Sequence, residues 1–130
     1  MKKDTVYNWI CIQRDRTRKE KNEALRNAKL AALRQCENWL FALTWAQMRA
    51  PVQKKREDIA TEGLPLLTKQ KEKPTSLTEE ETNRLNALVA SDVVYEMFEN
   101  KITPTARSAE WDVEQRQREQ ARRAALRQKE

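Results

Sequence analysis

Apolar positions in this chain recur at three- and four-residue spacings, the period of one helix face, and they come in bursts separated by long polar runs. The first burst, TVYNWICI, puts Val6, Trp9, Ile10 and Gln13 on one side of a helix that Asp4 would cap. A strand is the weaker reading of this Val- and Ile-rich run, because no turn or partner strand follows it. Residues 13–23, QRDRTRKEKNE, hold no apolar side chain. They read either as an exposed helix laced by pairs such as Asp15–Lys19 or as a hinge.

A helix is predicted over 24–50. Leu25, Ala28, Ala32, Cys36, Trp39, Leu43, Ala46 and Ala50 make a near-heptad seam whose small residues would let a partner helix approach closely. A second stripe runs through Leu30, Leu33, Leu40, Phe41, Thr44 and Met48. The two merge over 39–46, inside the uncharged run NWLFALTWAQM. A helix apolar on every side has to be covered on every side. Pro51 predicts its end. Residues 52–77 then read as a polar connector with a turn at Gly63 and Pro65, shortened if 52–61 form a helix.

The sharpest start signal is SLTEEE, with Thr78 as N-cap and Glu81 three residues on. It opens an amphipathic helix carrying Leu85, Leu88, Val93, Val94, Met97 and Phe98, expected to stop near Asn100, before Pro104. A last helix starts at Ser108 and is good by propensity. Its only large apolar residues are Trp111, Val113 and Leu126, so by itself it has almost no core face. The fold class is therefore all-α, a single unit of three to four helices. One long N-terminal helix lies within 1–51, the connector at 52–77, an acidic helix at 78–103, and a projecting basic helix at 104–130.

Composition agrees with this. One Gly and four Pro among 130 residues supply too little turn chemistry for a sheet protein. A mean hydropathy of -0.97 leaves apolar side chains for one small core but not for every helix. The net charge of +6 is unevenly placed. Residues 76–103 hold six acidic and two basic side chains, whereas 1–50 hold eleven basic and five acidic. The acidic block either folds back onto the basic helix or leaves the basic flanks for phosphates and acidic protein surfaces.

Candidate chemistry is thin. No His is present, which excludes a Ser–His–Asp triad and Cys₂His₂ zinc. Gly63 alone cannot build a phosphate-cradling loop. Glu79, Glu80 and Glu81 suit a helix dipole better than a metal. Cys11 and Cys36 read as free thiols of a reducing compartment, cytoplasm or virus particle, and Lys2–Lys3 with a short, Asn8-interrupted apolar run does not make a secretory leader. No stretch approaches a membrane span; an interfacial membrane helix over the basic 14–34 segment, with Trp9 and Trp39 as anchors at its ends, is a second alternative, against which charges encircle 13–23 instead of taking one side.

What remains points to a non-enzymatic structural or assembly subunit, without cofactor or small-molecule substrate. It would dock through helices on a larger complex, such as a phage-type virus particle, or on copies of itself. The expected partner face is Trp39, Leu40, Leu43, Trp45, Met48 and Trp111. The alternative is a small basic nucleic-acid-binding protein using Arg14, Arg16, Arg18 and Lys19 with Arg116, Arg122, Arg123 and Arg127. No aromatic side chains interleave with these arginines for base stacking.

Overall fold

The computed structural model describes residues 1–129 and contains four helices, α1 (Lys3–Thr17), α2 (Glu23–Ala42), α3 (Trp45–Glu72) and α4 (Glu79–Lys129), with no strand among the described residues. The helices alternate in direction. Tyr7 meets Phe41 and Arg14 meets Glu37, so α1 and α2 are antiparallel. Lys69 reaches Glu81, Arg56 reaches Asp92 and Arg49 reaches Glu110, so α3 runs antiparallel to α4. α2 and α3 pack on α4, the spine of the bundle, and α1 packs chiefly on α2.

The expected long N-terminal helix is two helices, and the long helix is C-terminal. The apolar-free stretch 13–23 is the hinge: α1 stops at Thr17, whose hydroxyl donates to the carbonyl of Gln13 at 2.7 Å. Asn22 then caps α2, its side-chain oxygen accepting from the Leu25 N–H at 3.1 Å. At its other end α2 stops because Leu43 and Thr44 are extended. There Gln47 accepts from the Thr44 N–H at 3.0 Å, half of a capping box spelled TWAQ. At the N-terminus the cap position is Lys2, not Asp4, which sits in the first turn.

The connector is also helix. Met48, Val52, Ile59, Gly63 and Leu66 fall on the side of α3 that faces α4, and the first four are buried. Pro51 and Pro65 do not end it, and Pro104 does not end α4. Each proline removes one N–H, freeing the carbonyl four residues earlier. Those residues are Gln47, Thr61 and Asn100, all on the solvent side, where water can satisfy the freed group. The acidic helix and the basic C-terminal helix are thus one element of 51 residues, about 77 Å long. Its start is as read: Thr78 and Glu81 exchange backbone-to-side-chain bonds at 3.1 Å each way. These bonds, first from the Thr78 backbone and then from Lys69, hold the Glu81 carboxyl below its ordinary range.

The core runs between α4 and the three shorter helices. Ile10, Leu33, Cys36, Leu40, Met48, Val52, Phe98 and Ile102 are all fully buried. Trp39 lies over it, 5.6 Å from the Tyr95 ring and 6.5 Å from Phe98. Burial pushes the Tyr95 phenol up to about 12 and raises the Cys36 thiol strongly. A thiol reagent is therefore expected to modify Cys36 only as fast as the bundle unfolds, which comparing modification with and without denaturant checks.

Gly63 is buried against Leu88 with room to spare. A Cβ built there would meet Leu88 Cδ1 at 3.8 Å, ordinary van der Waals contact. Gly63→Ala should therefore raise the unfolding free energy by about 0.5–1 kcal/mol through helix propensity, measured by urea titration.

Candidate docking surface on the long helix

Among the described residues Ala106 is the last buried residue of α4, and the Arg49–Glu110 pair, at 3.1 and 2.9 Å, is the last ion pair between α4 and the bundle. Beyond it residues 111–129 continue as helix for about 28 Å with no buried side chain. A segment this long is marginal as a free helix in water. Here the bundle supplies its nucleus, and pairs such as Arg118–Glu114 and Arg123–Glu119 add support along it.

The sequence-predicted partner residues do not form one face. Leu40 and Met48 are fully buried in the chain's own core and offer no surface. Trp39 belongs to α2 and Trp45 to α3, on either side of the break at Leu43, and all three are half-buried. Trp111, 60% exposed, stands at the root of the projecting arm.

The basic residues are likewise split. Arg14 is bound to Glu37 at 2.5 Å and Arg18 to Asp15 at 3.3 Å, while Arg16 and Lys19 are exposed. In the arm, Arg122 and Arg123 share Glu119, and Arg116 and Arg127 are exposed. Arg16 and Thr17 border Ala90 and Val93 of α4, whereas the arm's arginines centre near residue 122, on the order of 48 Å further along the same helix. The two basic sets therefore make separate patches at opposite ends of the molecule. The acidic block does pack on the basic helix α2, through apolar contacts such as Trp39 on Tyr95, but not through its charges. Its carboxylates turn to α3, where Arg56 holds Asp92, Glu96 and Glu99 and Lys69 holds Glu81.

Val89, Val93, Met97, Pro104, Trp111 and Leu126 fall within roughly 100° of arc on α4, since 3.6 residues make a turn, and Asn100, Arg107, Gln115, Arg118 and Arg122 are interleaved in the same arc. This stripe is distinct from the core face of Leu88, Tyr95, Phe98 and Ile102. Val89, Val93, Trp111 and Leu126 are 52%, 46%, 60% and 56% exposed, and the stripe spans about 55 Å. Along the bundle it lies between α3 and α1. On the α3 side Ile59, Gly63, Leu67 and Leu85 line an apolar groove of about 450 Å³, with Arg56, Glu57 and Asp92 at its edge. On the α1 side Gln13 and Thr17 border a smaller recess of about 170 Å³.

The class that emerges is an all-α bundle with an unpartnered helical arm and an exposed line of apolar residues interrupted by polar and basic ones. Comparisons with protein-family models, curated proteins and solved structures give no match to the chain. Among the described residues no helix is long and apolar enough to cross a membrane, and no three His, Cys, Asp or Glu side chains are grouped to hold a metal ion.

Proposed function

We propose that this chain is a non-enzymatic structural subunit that docks through helical surface on a larger multi-chain assembly, of the kind a virus particle provides. The observation that carries the reading is the arm, nineteen residues of helix in solvent with Trp111 and Leu126 exposed on one line. Exposed aromatic and aliphatic side chains amid arginines are the composition of protein interfaces. Affinity capture from the native source tests it. The full chain should retain a protein partner in stoichiometric amount, and a Trp111→Glu, Leu126→Glu double variant should lose it while keeping its helix content. No retained protein, or equal retention by the variant, overturns the reading.

A second reading, nucleic-acid binding, rests on Arg116, Arg127 and Lys129, which make no ion pair within the chain among the described residues. It predicts salt-dependent binding to DNA or RNA that a triple Arg122→Glu, Arg123→Glu, Arg127→Glu variant abolishes. Absence of binding at low salt removes it.

A further inference from the structure

We propose that the partner seated on the exposed stripe of α4 is a second copy of this chain, paired antiparallel so that each arm lies along the outer face of the other copy's bundle. The inference deepens the assembly reading and rests on it. Three observations point to this occupant.

The first is that both halves of the stripe lie on one face of one helix, with Val89 and Val93 on the bundle and Trp111 and Leu126 on the arm. A two-fold axis through that face therefore brings bundle half against arm half.

The second is steric. The midpoint between Val89 and Leu126 falls at about residue 107 or 108, just past Ala106, where the buried part of α4 ends. An axis there sets the two bundles end to end and lays a bare arm, with no helices packed on it, into the channel between α1 and α3. Trp111 of each copy then meets Pro104 of the other, and Leu126 of the second copy meets Val89 beside the apolar groove.

The third is charge. On the α3 rim of that channel one guanidinium, Arg56, faces Asp92, Glu96 and Glu99, with Glu57 beside it, leaving that rim three charges negative, while Arg16, Glu20 and Lys29 leave the α1 rim one charge positive. Residues 111–129 carry six basic and three acidic side chains. Antiparallel pairing sets that positive arm against the negative rim, while parallel pairing would set like against like.

The full chain decides it. Light scattering and sedimentation of purified protein at micromolar concentration should give twice the 15.4 kDa chain mass, falling toward monomer at high salt. Val93→Lys, which would face Arg122 of the other copy, and Leu126→Glu, both at exposed positions, should each weaken the dimer by about tenfold to a hundredfold with circular dichroism unchanged. Leu126 is outside the bundle, so its variant still reports if Val93→Lys disturbs folding.

Orientation is read in a Cys11→Ser background, with Cys36 sealed in the core. Ser108→Cys should form a disulfide-linked dimer, as should Val89→Cys mixed with Leu126→Cys. Leu126→Cys alone should not. A chain monomeric at all concentrations, a dimer indifferent to both charge substitutions, or ready self-linking of Leu126→Cys overturns the proposal. A monomer that still captures a different protein through its arm fails this inference and leaves the assembly reading intact.

Discussion

Replacing Phe98 with alanine should lower the unfolding free energy by about 3–5 kcal/mol. Phe98 is fully buried at the centre of α4 and lies beneath the Trp39 indole, 6.5 Å ring to ring. Removing the ring takes away its transfer free energy and leaves a hole that the surrounding helices cannot close, because α2 and α3 are held apart by their own contacts with α4. Small domains hold only about 5–15 kcal/mol in all, so this change uses up much of the margin. Urea titration followed by circular dichroism gives the number. A loss under about 1 kcal/mol would mean that α2 does not pack on α4 through Trp39 as described.

Arg56→Ala is expected to cost about 1–3 kcal/mol, more than an exposed ion pair because three carboxylates lose their common partner. Arg56 bonds Asp92 through Nε at 3.0 Å and Glu99 through Nη1 at 2.9 Å, with Glu96 at 3.7 Å. These acids stand at i, i+4 and i+7 on one helix, so without the guanidinium they repel one another. Its side chain is 30% exposed, which keeps the cost below that of breaking a fully buried pair. The guanidinium is held well above its ordinary range, first by the Asp92 hydrogen bond, and stays charged throughout. The check has two parts: the loss should shrink in high salt, and Arg56→Lys should recover only part of it, since an ammonium cannot present the same planar fork. An Arg56→Ala variant as stable as the parent would show that the carboxylate cluster tolerates its own repulsion.

Helical class was legible in the spacing of apolar residues, and so was the Thr78–Glu81 start, because local hydrogen-bond chemistry fixes it. Breaks and continuations were harder. Thr44 and Gln47 spell a start, yet the apolar run 39–46 reads as one unbroken helix unless that pair is given weight. Pro51, Pro65 and Pro104 read as stops from local rules, but each leaves its orphan carbonyl facing solvent, and packing of the other face carries the helix through. The connector's helical stripe was masked by Gly63, which lies within the helix beside Leu88 with room for a Cβ and does not turn the chain.

For the site, Trp111 and the arm's exposure were legible because no apolar face accompanies them. Leu40 and Met48 were not separable from Trp39 and Trp45 by sequence. Which of several adjacent apolar residues turns inward depends on where α4 lies, and that is a tertiary fact. The exposed stripe of Val89 and Val93 stayed hidden for the same reason, since valine reads as core until the covering helices are placed.

The arm is only marginal as a helix apart from the bundle that nucleates it, and this makes the chain its own gauge. Whatever grips residues 111–129 only in helical form adds its binding free energy to the unfolding of the whole molecule. Melting temperature should therefore climb with the concentration of any true occupant. Indole fluorescence from Trp111, the one tryptophan outside the bundle, should shift at the same concentrations.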